Sequence, residues 1–131
     1  MKTSIAASVF LAANLAATMI AAQAFAQSGN ATRGERTFNQ QCKACHTGEQ
    51  GGPSAIGPNL HGLFGRKAAG VAGYQYSPAM AKSGITWDDK ALADYLKDPK
   101  ARVPEGKMEY AGLKQQSQLD DVIAYLQKAT Q

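Results

Sequence analysis

The residues that could do chemistry lie close together: Cys42-Lys43-Ala44-Cys45-His46 places two thiols three positions apart with an imidazole directly after them. The pattern C-x-x-C-H is that of covalent c-type haem attachment. Two thiols at this spacing reach both vinyl groups of one ring from a single helical turn, and the adjacent His lies beneath the ring, where its imidazole can bind iron. Two other chemistries use the same residue types. A thiol-disulfide oxidoreductase needs C-x-x-C at a helix start beside a βαβ unit, and no strand pattern is present to build one. A zinc site would have to draw on Cys42, Cys45, His46 and His61, all the Cys and His in the chain. Ligation by both Cys45 and its immediate neighbour His46 is awkward for a tetrahedral ion. A disulfide between Cys42 and Cys45 would close a tiny loop and stabilise little.

The elements that must position this motif are helical. Asn30 caps a helix predicted over Ala31 to Gln41, with Phe38 and Cys42 four apart on one face. Thr86-Trp87-Asp88-Asp89 resembles a capping box that opens a second helix. It turns Leu92, Tyr95 and Leu96 inward and must stop before Pro99. A third helix follows Ser117, with Leu119, Val122, Ile123 and Leu126 at helical period. Ser77-Pro78-Ala79-Met80 adds a short helix, with Pro at its first position and Gly84 beyond its end. Between Thr47 and Gly73 stand eight glycines and two prolines with no strand alternation. A loop this long fits a compact domain only when wrapped around something. The expectation is an all-α fold of three main helices, a short helix and long loops around one covalently bound haem. Its cavity should be lined by Phe38, Leu60, Tyr76, Trp87, Tyr95 and Leu96.

Residues 1–26 read as a cleaved secretory signal: Lys2, an Ala-rich apolar run from Ile5 to Ala22, and Ala24-Phe25-Ala26 at the cleavage site. An uncleaved anchor is the other reading, since about 18 such residues nearly span a bilayer. Residues 27–131 then form one domain. The whole chain carries 14 basic and 10 acidic side chains. This mild excess, with no basic run interleaved with aromatics, excludes a nucleic-acid binder.

From Gly34 to Leu126 the chain resembles the class I, mitochondrial-type cytochromes c, close to the short soluble bacterial members. The resemblance is carried by Cys42 to His46 and by Gly57-Pro58-Asn59-Leu60-His61-Gly62-Leu63-Phe64-Gly65-Arg66-Lys67. Gly84-Ile85-Thr86-Trp87 and Lys107-Met108 ahead of Ala111-Gly112 complete it. It implies that His46 is the proximal ligand and that Pro58 offers its carbonyl to the other imidazole nitrogen. It implies that Arg66, Tyr76 and Trp87 hold a haem propionate and that Tyr95 lies near the axial Met. Gly34, Phe38 and Tyr125 match the crossing of the first and last helices. The chain departs from the family at Pro104-Glu105-Gly106-Lys107-Met108, where mitochondrial members carry P-G-T-K-M, and at Met80, where many relatives have Asn.

Once the leader is removed, only Met80 and Met108 can supply a thioether. Met80 sits in the short helix, where a core role is natural. Met108 sits in a loop between Pro104 and Gly112 with no helical period to bury it, and iron is the partner that explains it. His61 offers a bis-His alternative. Its place just after Pro58 keeps it on the His46 side, as a structural residue hydrogen-bonded to backbone. A His and a Met leave iron no open position, so substrate chemistry is excluded; the competing reading is a small peroxidase with a vacant distal face. The expected function is a soluble, monomeric one-electron shuttle of a Gram-negative-type periplasm. It would run from a quinol-oxidising cytochrome bc-type complex to a terminal oxidase or photosynthetic reaction centre. By the resemblance, Lys67, Lys100, Lys107 and Lys114 surround the exposed haem edge and steer the protein to acidic docking surfaces of those complexes.

Overall fold

The computed structural model describes residues 29–131, and the predicted leader over residues 1–26 lies outside them. Five helices follow in order: α1 (Ala31–Gln41), α2 (Pro78–Lys82), α3 (Asp89–Lys97), α4 (Pro99–Arg102) and α5 (Gln116–Ala129). The fold is all-α; the β-type pairing among the described residues is an isolated bridge between Lys67 and Thr86. No helix among the described residues is long and apolar enough to cross a membrane.

The start of α1 follows the sequence expectation, with the Asn30 side chain accepting from the Arg33 N–H at 3.0 Å. The Ser77 side chain caps α2 by accepting from the Met80 N–H, and Pro78 takes the first helical position. The start of α3 is a correction. Its cap is Asp88, which accepts from the Ala91 N–H at 2.7 Å, and not Thr86. The backbone around Thr86 is committed elsewhere: the Trp87 N–H donates to the Arg66 carbonyl and the Ala68 N–H to the Ile85 carbonyl. The sequence expectation also lacks α4, where Asp98 caps a single turn begun by Pro99.

Helices α1 and α5 cross at Gly34. A Cβ there would overlap the Asp121 carbonyl, so only glycine lets the two backbones approach this closely. Phe38 meets Tyr125 with ring centroids 5.3 Å apart. Asp121 is buried between the helices; its carboxylate accepts from the Asn30 N–H at 2.6 Å and from Arg33 Nε at 2.6 Å. The Arg33 bond holds the Asp121 carboxyl below the usual carboxylate range against the opposing effect of desolvation. Around this crossing Leu119, Val122, Ile123 and Leu126 of α5 are buried with Leu92, Tyr95 and Leu96 of α3. The predicted inward faces are the observed ones. The long Gly-rich segment covers the other side, held partly by Gly62 N–H donating to the Thr130 carbonyl.

Candidate haem site

A cavity of about 260 Å³ lies between α1, α3, α5 and the loops. Cys42, Cys45, His46 and Met108 all line it. So do Phe38, Leu60, Tyr76, Trp87, Tyr95 and Leu96, the six walls expected from sequence, together with Pro58 and Arg66. His61 is not among the lining residues, and no cluster of His, Cys, Asp or Glu able to hold a metal ion exists among the described residues. The four side chains that a zinc site would draw on therefore do not converge on this cavity.

The motif is set by the end of α1. The Cys42 N–H donates to the Phe38 carbonyl, and the Cys45 and His46 N–H groups both donate to the Cys42 carbonyl. This turn presents both thiols and the imidazole to one cavity. Burial pushes the Cys42 thiol up to about 11, with a smaller contribution from Cys45.

His46 is held on two sides. Its Nδ1 lies 2.9 Å from the Pro58 carbonyl, which can only accept, so the proton sits on Nδ1 and the lone pair on Nε2. Burial pulls the imidazole below its ordinary value, and the Pro58 bond opposes this in part. A Cβ on Gly57 would strike the His46 ring, so glycine is what admits the imidazole here. A half-buried, neutral, oriented imidazole is the state a metal ligand needs.

Arg66 donates to the carbonyls of His61 at 2.7 Å and Asn59 at 3.2 Å, fastening the loop that carries Pro58. Tyr76 accepts from the Val71 N–H at 3.3 Å. Trp87 is buried against Tyr95 with ring centroids 5.2 Å apart. Burial raises Tyr95 to about 12, so its phenol stays protonated. The donor set and the apolar and aromatic walls fit a large flat macrocycle with two thioether links.

The structure adds detail to several expectations. The Nδ1 of His61 is buried with no hydrogen-bond partner among the described residues, although its own backbone is bonded to Asn59 and Arg66. Met80 fills the core as expected but also lines the cavity, giving it a second thioether. Three of the four docking lysines are engaged by their own chain. Lys100 donates to the Gly106 carbonyl and pairs with Glu109, Lys107 donates to the Gln75 carbonyl, and Lys114 donates to the Lys97 carbonyl. Lys67 is exposed and its ammonium has no partner among the described residues. Gln41, Ile56, Tyr74 and Tyr110 also line the cavity, beyond the residues legible in the sequence. For Tyr110 the signal was its place two residues after Met108.

The cytochrome c family model matches residues 31–130, almost the whole described domain. The chain is 41% identical over 103 residues to the cytochrome c of Kluyveromyces lactis, covering 79% of this chain and 94% of that protein. It is 43% identical over 105 residues to that of Nigella damascena, covering 80% and 95%. With the Chlamydomonas reinhardtii protein the identity is 45% over 105 residues, covering 80% and 94%. This chain belongs to the cytochrome c family. It is accordingly an electron carrier and not an enzyme, and its cofactor is one covalent haem c.

Proposed function

We propose that the protein shuttles single electrons between membrane redox complexes in an exported space, with haem linked to Cys42 and Cys45 and iron held by His46 and Met108. The observation that carries this reading is the convergence of these four side chains, drawn from two distant segments, on one cavity. Bound there, the haem supplies a reversible one-electron couple. The chain's own residues do the rest. The Pro58 carbonyl and the Gly57 backbone fix the imidazole plane, and the walls from Phe38 to Trp87 exclude water. Arg66 and Tyr76 line the cavity and are the side chains that would meet the propionates. With a His and a Met on iron no position remains open, and the thioether raises the potential relative to a second imidazole.

Cleavage after Ala26 would release residues 27–131 into the periplasm of a Gram-negative-type bacterium as a monomer. The relatives named above are eukaryotic, so the exported location rests on the leader's own residues. The donor in this reading is a quinol-oxidising bc-type complex, and the acceptor an oxidase or reaction centre. Docking draws first on Lys67 and Lys107, whose ammonium groups face no carboxylate among the described residues, whereas Lys100 and Lys114 pair with Glu109 and Asp98.

The ferric visible spectrum tests the ligand pair. A far-red sulfur–iron band is expected, whereas a high-spin spectrum would favour the peroxidase reading. Mass spectrometry of the exported product should begin at Gln27; retention of Phe10 and Leu15 would show an anchor. Transfer to an acidic redox partner should slow with salt, because exposed charges are screened beyond about 8 Å at physiological ionic strength. Lys67→Glu should weaken that salt dependence, and indifference to both would place docking on the apolar edge alone.

A further inference from the structure

The loop that carries Met108 is unusual in how it is held. No helix lies between Arg102 and Gln116, and among the described residues 107–112 make no backbone–backbone hydrogen bond. Regular pairing resumes only at Leu113, whose N–H donates to the Leu96 carbonyl. Side chains must therefore place Met108, and two of them reach across the cavity mouth in different directions. Lys107, just before Met108, donates to the Gln75 carbonyl at 2.6 Å and lies 5.5 Å from the centroid of the Tyr74 ring. Tyr110, two residues after it, donates its phenol to Gln41 Oε1 at 2.7 Å.

We propose that Tyr110 is a positioning residue, its bond to Gln41 acting as a latch that closes the Met108 loop against the end of α1 over the cavity. Both partners line the cavity and stand 69 residues apart in sequence, so the bond joins two segments that nothing local connects. Gln41 is the last residue of α1, immediately before Cys42, and is therefore as fixed as the attachment motif itself. Among the described residues the Tyr110 hydroxyl bonds only to Gln41, and a phenylalanine would fill the same space without the tie. Because Gln41 is exposed, water competes for the bond, which places its contribution at the modest end for a neutral pair. Cutting the latch leaves Met108 in the cavity but lets the loop open more often, which admits an external ligand to the iron.

The inference rests on Met108 being the axial ligand, and the test separates the two. Ferric holoprotein is mixed with imidazole in a stopped-flow instrument, and loss of the far-red band is followed for wild type, Tyr110→Phe, Gln41→Ala and the double variant. Each single change should keep the band at rest and speed imidazole binding by roughly two- to tenfold. The double variant should be no faster than the faster single one, because both remove one bond. Gln41→Glu, which keeps an acceptor, should stay near the wild-type rate. A wild-type spectrum without the band overturns the ligand assignment and the latch with it. A wild-type band with unchanged rates in both single variants, or with effects that multiply in the double, overturns the latch alone.

Discussion

Replacing Gly34 by alanine sets two effects of known size against each other. In an isolated helix the change is favourable by about 1 kcal/mol, since alanine is the better helix former. In this fold the new methyl group would overlap the Asp121 carbonyl and stand 2.9 Å from the Tyr125 Cβ. The carbonyl belongs to α5 backbone and cannot rotate aside, so relief requires α1 and α5 to separate. Separation loosens the Phe38–Tyr125 contact and stretches the bonds from Asn30 and Arg33 to Asp121, each 2.6 Å long. Overpacking of this kind costs about 1–3 kcal/mol, and weakening the buried hydrogen bonds adds about 1 kcal/mol. The net expectation is a loss of about 2 kcal/mol, or roughly 10 °C in Tm for a domain of this size. Thermal and guanidinium unfolding of the holoprotein, followed by far-UV circular dichroism, measures it. Asn39→Ala, at an exposed position on the same helix, reports the propensity gain alone and should stabilise slightly. A Gly34→Ala protein as stable as wild type would refute the claim that backbone approach at this crossing requires glycine.

Three further outcomes are expected. Met108→Ala should keep the haem attached, because the links proposed at Cys42 and Cys45 do not involve it, while the far-red band disappears, the potential falls and cyanide binds; an unchanged spectrum would turn attention to Met80 or His61. Asp121→Asn should cost stability that is constant at neutral pH and shrinks as pH falls below about 4. The sign follows from the carboxyl being held low in the folded state, so its contribution is present above the unfolded value and lost on titration through the folded one. Glu105, a non-glycine residue at φ 63°, stands in the left-handed region, and Glu105→Gly should raise stability by up to about 1 kcal/mol in the same unfolding assay.

The helices were legible where a local signal and a tertiary demand agreed. Asn30 ahead of α1 and Ser77-Pro78 ahead of α2 are such places, because the capping side chain bonds within its own turn. The start of α3 was not, since Thr86 and Asp88 both look like caps and the choice was made by pairing of residues 85–87 with residues 65–68. Asp98-Pro99 carries a helix start as clear as any, yet the same proline also ends α3, and one signal masked the other. At the site, the meeting of Cys42, Cys45, His46 and Met108 at one cavity was legible because their residue types are rare and chemically committed. The bonds from Lys100, Lys107 and Lys114 to backbone carbonyls up to 32 residues away were not legible, because a carbonyl carries no sequence signature. The Nδ1 of His61 was equally hidden, because only the packed loop shows that no hydrogen-bond partner reaches it among the described residues.

The clasp between α1 and α5 has a consequence for the order of folding. Arg33 and Asp121 are 88 residues apart, and closing a loop of that length costs roughly 4 kcal/mol of chain entropy before any contact in it forms. The residues that repay this, Phe38, Val122 and Leu126, are also cavity walls. His46 follows the first helix of the clasp and Met108 precedes the last, so the two candidate ligands are carried by opposite arms of one closing ring. Closing the clasp therefore also brings the two ligand-bearing segments to one cavity, so the loop-closure entropy of assembling the site is met largely in forming the clasp.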